Sequence, residues 1–313
     1  MKEDNMDNTQ MTLTLASLLG PDQYKAFLGC FSRNTVYRGR MPKEVAGTIL
    51  TLDGLQDIIN TRRLSFPRCR LVRVGKPLNP VEYNARSHSA LGEPVMKLIP
   101  DRVMKELRDG ATLVLDFVED LSSKVRHIAE AIATEFQEKT GATVFFSTGG
   151  TKGFTTHWDD SDTLIFQLSG RKKWDLWTPD FLFPVTENKS RMSPPEGPPA
   201  ESLILKSNDF LYLPRGHWHA PEPSDSHSLH ISFAFRRRNG IDFIKSLLPL
   251  LSEHPALRMD IDKQASAEQQ DIYILQLQQT IASLVSAENL GHFLKTAGER
   301  QFVSETIAFG KFS

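Results

Sequence analysis

The sequence predicts a mainly β protein: a double-sheet barrel of jelly-roll type, with helices before it and a small helical bundle after it. Two observations carry this. Between Ala142 and Phe235 the apolar residues come in short runs rich in Val, Ile, Phe, Tyr and Trp, at 143–146, 163–168, 173–177, 202–205, 210–213 and 229–235, separated by Gly, Pro, Asn and Asp. Such runs, with no long helical stripe among them, read as antiparallel strands closing into a barrel whose mouth can take a ligand. On either side of this span the apolar spacing changes to that of helices.

Taken in order, residues 1–10 read as a polar tail, and 13–31 carry Leu15, Leu18, Leu19, Tyr24, Phe27 and Leu28 at helical spacing interrupted by Gly20-Pro21. Short helices are expected there. Residues 51–59 place apolar groups at i, i+3, i+4 spacing after a capping Thr51 or Asp53, and 69–74 alternate as a strand does. Residues 96–109 and 122–140 are again helical in spacing, with a strand at 111–117 between them. The Pro- and Ser-rich piece 189–201 reads as a loop at the barrel mouth, in the position of a lid. After Gly240 the stretches 241–251, 267–284 and 289–296 carry apolar stripes. A boundary is therefore expected near Gly240, with the barrel and its N-terminal helical scaffold in 1–240 and a helical domain in 241–313. A bundle of that size buries little core on its own, so pairing with a second copy, a homodimer through 241–313, is expected to complete it.

Composition narrows the partners. The 313 residues, 40% hydrophobic, suffice for one large domain and a small one. Thirty-seven basic residues stand against thirty-eight acidic ones, which gives no electrostatic grip on nucleic acid or on an anionic membrane, so neither is an expected direct partner. Cys30 and Cys69 are far apart and lack CxxC spacing, which fits a reducing compartment and excludes a cysteine zinc site. With a polar, acidic N-terminus that has no apolar core, the expected location is cytoplasmic.

The chemistry centres on Gly153-Phe154-Thr155-Thr156-His157-Trp158-Asp159. His157 and Asp159 are two residues apart, so on an extended segment both side chains leave one face and can hold one ion together. Two ligands make a weak site for a first-row ion, and a catalytic site takes a third while leaving positions open. Tyr212-Leu213-Pro214-Arg215-Gly216-His217-Trp218-His219 offers it. His219 is chosen from the Pro-x-Gly-x-x-His spacing, with His217 as the alternative. An isolated His-x-Asp is more often a surface or satisfied core pair, and only the second segment gives it weight.

The series Gly-Phe-x-x-His157-x-Asp159, Gln167-Leu168-x-Gly170-Arg171-Lys172-x-Trp174 and Asn208-Asp209-x-Leu211-Tyr212-Leu213-Pro214-Arg215-Gly216-x-x-His219 resembles the Jumonji-C-type cupin oxygenases, in particular their ribosomal-oxygenase branch, over residues 63–235. The resemblance implies a double-stranded β-helix, a non-haem Fe(II) centre and 2-oxoglutarate as co-substrate. It implies hydroxylation of an amino-acid side chain in a protein or peptide, with a ribosomal protein as the model substrate. Metal ligation is carried over to His157, Asp159 and His219, and 2-oxoglutarate carboxylate binding to Lys172 and Ser232. Where the family often has Asn and Tyr on the strand before the first His, this chain has Thr143 and Phe145.

A remote carboxylate in an apolar barrel needs a fixed cation, which Lys172 supplies, whereas Lys173 should face the other way by strand alternation. The Ser169-Gly170 pair is expected to turn the chain back antiparallel so that Lys172 returns toward the metal. Two other readings stand beside this one: a hydroxylase that tailors a natural-product peptide, and a metal-binding cupin without oxygenase activity. Lys172 argues against the latter, which has no need of a buried cation.

Overall fold

The computed structural model describes residues 13–149 and 154–299. It divides into two compact units, with Phe136–Lys139 and the chain from Arg237 onward in the second. The first unit contains α1 (Leu15–Leu19), α2 (Pro21–Ser32), β1 (Tyr37–Arg40), α3 (Lys43–Ile49), α4 (Leu52–Thr61), β2 (Cys69–Arg73), β3 (Lys76–Pro77), β4 (Asn84–His88), β5 (Pro94–Leu98), α5 (Pro100–Arg108), β6 (Thr112–Asp116), α6 (Ser123–Phe136), β7 (Thr140–Ser147), β8 (Asp162–Leu176), β9 (Glu201–Lys206), β10 (Asp209–Leu213) and β11 (His219–Phe235).

Local chemistry sets most of these boundaries. Thr14 and Ser17 form a capping box on α1, and Gly20, at φ 84°, ends it so that Pro21 can open α2. Thr51 caps α4 by accepting the Gly54 N–H at 3.0 Å, and that helix buries Leu55 and Ile58. Helical spacing from Met96 does not hold, because 94–98 is strand β5 paired with β4 and the helix starts only at Pro100. Proline disfavours helical backbone at the residue before it and suits the first turn, so it overrides the apolar period. Helix α6 buries Val125, Ile128, Ala129 and Ile132 on one face. Phe27, Phe31, Tyr212 and Phe235 pack ring to ring, with Phe27 edge-on to Tyr212 at 5.2 Å between centroids.

Among the described residues one nine-stranded antiparallel sheet runs in the order β1-β10-β8-β11-β7-β6-β2-β3, with β9 joined to β8. The two longest strands wrap it into the barrel: β8 pairs with β10 through its first half and with β9 through its second, while β11 follows β8 along nearly its whole length. The expected turn at Ser169-Gly170 is corrected here. The runs 163–168 and 173–176 belong to the single strand β8, and the Ser-Gly pair follows a bulge at Leu168, where His230 faces Gln167 but Leu229 faces Ser169. Gly170 has φ 69°, and a Cβ there would stand 1.9 Å from the His227 carbonyl oxygen, so the site requires glycine. A bulge inserts one residue and bends a strand without reversing it.

That insertion decides which side chains meet. Strand alternation is shifted by one residue across the bulge, so Ile165 and Gln167 share a face with Lys172, Trp174 and Leu176. On β11 the irregularity between Pro223 and Ser228 has the same effect and puts His219 on the face of His230 and Ser232. β7 adds Thr143, Phe145 and Ser147, opposite Ser232, His230 and Ser228. This is the inner face of the barrel, and an apolar cluster of Ile165, Trp174, Leu176, Leu203, Leu205, Leu211 and Leu213 fills part of it.

The second unit contains α7 (Gly240–Ser246), α8 (Leu248–Ser252), α9 (Pro255–Arg258), α10 (Ala267–Leu284) and α11 (Ala287–Glu299). Asn239 caps α7, Ser266 and Gln269 box the start of α10, and Phe243 packs on Phe293 at 5.6 Å. Arg238 donates from its backbone N–H and its Nε to the Glu138 carboxylate, both at 2.9 Å. α10 buries none of its residues.

Candidate metal centre

His157 lies outside any regular strand and is held by one antiparallel bridge to His219, the first residue of β11. The His157 N–H donates to the His219 carbonyl at 3.0 Å, and the His219 N–H donates back at 2.8 Å. Directly bridged residues project to the same side, and the two imidazoles stand 4.3 Å apart between ring centroids. Two residues on, the Asp159 carbonyl accepts the Gly216 N–H at 3.0 Å. Gly216 has φ 86°, and a Cβ there would meet Pro184 Cδ at 2.5 Å, so the Pro214-Arg215-Gly216 turn is pressed against the loop that follows β8. Backbone hydrogen bonds thus carry all three side chains to one place. The loop is pinned as well, since the Thr186 hydroxyl donates to the Asp160 carboxylate, and the Lys189 ammonium lies 3.7 Å from that group and 5.6 Å from the Trp158 ring centre.

His157, Asp159 and His219 each offer a ligand atom, and these lie within 4.8 Å of one another. His219 Nε2 is 3.6 Å from Asp159 Oδ2. His157 Nδ1 lies 2.8 Å from the Thr155 carbonyl, and His219 Nδ1 lies 3.0 Å from the His217 carbonyl. A carbonyl only accepts, so each Nδ1 carries the proton and each Nε2 lone pair is free for an ion. Burial first, and then the neighbouring His157, pull the His219 pKa down to about 4 against the opposing Asp159, so the ring is neutral near pH 7. Two imidazoles and one carboxylate on one side of an ion suit non-haem Fe(II) and leave positions for other ligands. The residues fit the group. His217, the alternative third ligand, is not brought into the cluster; it is buried, its Nδ1 has no partner, and its contribution to the centre is the carbonyl that orients His219.

On the same face lies Lys172, 2% exposed, whose ammonium donates to Ser147 Oγ at 3.3 Å and meets no carboxylate among the described residues. Burial pulls its pKa down to about 8. A lysine held this way is costly unless an anion joins it. Lys173 points the other way, to Asp175 at 2.8 Å and Glu222 at 3.7 Å. Ser232 is half-buried on the inner face, opposite Thr143 and Ile165. The Thr143 hydroxyl is engaged with Asp116 at 3.1 Å, and Phe145 stacks on His230 with centroids 4.8 Å apart. Ser147 and His230 are the members of this pocket that the motifs do not single out. Period-two alternation along β7 from Phe145 would have pointed to Ser147, and along β11 from Ser232 to His230.

The antiparallel sheet thus carries a His–Asp–His cluster, with a buried lysine on the same face. Residues 117–243 match the JmjC domain family. Among curated proteins, the chain is 28% identical over 223 residues to the bifunctional lysine-specific demethylase and histidyl-hydroxylase NO66 of Dictyostelium discoideum, covering 70% of this chain and 42% of that protein. It is 31% identical over 161 residues to ribosomal oxygenase 1 of Gallus gallus, covering 50% and 27%. The chain thus spans less than half the length of these relatives. In fold it is similar to the ribosomal oxygenase YcfD of Escherichia coli, with a TM-score of 0.54 and 16% identity over 87% of this chain and 70% of that one. A further YcfD structure of equal similarity is in complex with cobalt and succinic acid.

Proposed function

We propose that the chain is an Fe(II)- and 2-oxoglutarate-dependent dioxygenase that hydroxylates an amino-acid side chain in a protein or peptide. The observation that carries this is Lys172: a buried ammonium without an acidic partner among the described residues, on the same inner barrel face as His219. A metal-binding cupin without oxygenase activity would have no reason to hold a cation there, whereas a dicarboxylate that chelates the metal at one end needs one at the other. His157, Asp159 and His219 would hold the iron, which supplies the oxidising chemistry when it is loaded with 2-oxoglutarate and O2. The chain's own share is orientation and exclusion of water. Backbone hydrogen bonds fix both imidazoles, Lys172 aligns the co-substrate through its far carboxylate, and Trp174, 5.8 Å from the His219 ring, keeps this side of the site dry. Iron-loaded protein should release succinate from 2-oxoglutarate; a protein that binds iron and never consumes 2-oxoglutarate would leave only the non-oxygenase cupin.

The histidyl-hydroxylase and ribosomal oxygenase activities named for the relatives support a ribosomal protein as the substrate class, with a natural-product peptide as the second candidate. A cytoplasmic location agrees with two free cysteines, and no helix among the described residues is long and apolar enough to cross a membrane.

The homodimer belongs to the same reading. α10 runs for eighteen residues with none buried and leaves Ile272, Ile274, Leu275 and Ile281 exposed. Most helical stability in proteins comes from packing of an apolar face, so such a surface is stabilised by a cover. Residues 241–313 are expected to pair with a second copy, with 300–313 outside the described residues. Light scattering at micromolar concentration should give twice the chain mass; a monomer mass would remove the dimer.

A further inference from the structure

His230 is fully surrounded at the centre of the inner face, 3% exposed, between Phe145, which stacks on it at 4.8 Å and 7°, and Trp174, which meets it edge-on at 5.7 Å. Its imidazole makes no hydrogen bond among the described residues, and Nδ1 is enclosed with no partner. Packing alone would favour a phenyl ring here, because an enclosed polar atom without a partner costs about 1–3 kcal/mol. An enclosed N–H without an acceptor is the rarer and costlier orphan, so the neutral ring carries its proton on Nε2, which is not among the enclosed unpartnered atoms. Burial and the Lys172 charge keep the ring neutral. The inner face therefore gathers an ammonium at Lys172, the Ser147 hydroxyl that accepts from it, and an imidazole N–H fixed by two aromatic rings, with no carboxylate among the described residues bonded to the ammonium or the ring.

We propose that His230 is the second donor of the carboxylate pocket: its Nε2–H binds the far carboxylate of 2-oxoglutarate together with Lys172. This rests on the co-substrate reading above and adds to it a residue that the family motifs do not mark. It also accounts for the pocket's composition, since Phe145 offers no hydrogen bond and the Thr143 hydroxyl is turned to Asp116.

The test uses the full chain loaded with Zn(II), which is redox-silent, and two ligands: 2-oxoglutarate, and 2-oxobutanoate, which chelates a metal equally but lacks the far carboxylate. Calorimetry of the wild type should show a clear preference for 2-oxoglutarate. His230→Phe keeps the stacking and removes the N–H, and should weaken 2-oxoglutarate about tenfold while leaving 2-oxobutanoate and Zn(II) unchanged. His230→Asn, which retains a donor, should recover part of the loss. If His230→Phe bound 2-oxoglutarate as the wild type does, or lost both ligands equally, the ring would be packing only. Should the variants not fold, nitrogen-15 spectra of the wild-type imidazoles decide: one buried histidine must shift with 2-oxoglutarate and not with 2-oxobutanoate, and the absence of that shift overturns the assignment. A wild type that does not distinguish the two ligands would overturn the co-substrate reading itself, and His230 with it.

Discussion

An Asp159→Ala protein is expected to fold as the wild type does and to have lost its iron. The side chain is 46% exposed, and the backbone at this position is held independently through the Gly216 N–H, so its removal should change stability by no more than about 0.5 kcal/mol. Its effect on the metal is of another order. Removing an outer partner of a ligand typically costs about 10–100-fold in affinity, and removing one of three ligands should exceed that range. Near-UV circular dichroism and metal analysis after desalting separate the two effects. A variant that retained one iron per chain and turned over would remove Asp159 from the ligand set.

The second large effect is that of Lys172→Ala. A hydrogen bond between ionised groups contributes about 1.5–3 kcal/mol, which is roughly a tenfold to hundredfold change in affinity. The concentration of 2-oxoglutarate for half-maximal turnover should rise by about that factor, with iron binding intact. Lys173→Ala should do neither, because Lys173 is occupied by Asp175 and Glu222. pH gives an independent check. With no ligand bound, burial holds the Lys172 pKa near 8, and an arriving carboxylate favours the charged form and raises it. Binding therefore requires proton uptake above that value. Affinity should be flat below about pH 8 and fall as pH rises through it, and Lys172→Ala should abolish the fall. A wild-type affinity constant from pH 7 to 9.5 would contradict a buried lysine at the co-substrate.

These residues were not equally legible in the sequence. His157, Asp159 and His219 could be read because their geometry is local: a two-residue spacing on extended chain and a Pro-x-Gly-x-x-His turn whose glycine lies at φ 86°. Lys172 could be read from its motif, yet the reason it faces inward could not. No turn at Ser169-Gly170 reverses the chain; a one-residue bulge shifts the alternation of β8, and such a shift leaves no period in the sequence. The apolar spacing from Met96 fits a helix as well as a strand, and Pro100 decides where α5 begins. His230 and Ser147 are further from reach. They line one pocket only because β7 and β11, separated by more than seventy residues, pair in one register, so neither segment alone marks them.

A barrel with this His–Asp–His cluster and this buried lysine is expected to oxidise a polypeptide at the expense of 2-oxoglutarate. The most direct measurement is mass spectrometry of a ribosomal-protein and peptide panel incubated with the iron-loaded chain, with succinate followed in the same samples. The prediction is a gain of one oxygen on a side chain of one panel member, matched mole for mole by succinate and absent with Asp159→Ala. Oxygen gain that persisted without 2-oxoglutarate, or with Asp159→Ala, would contradict it.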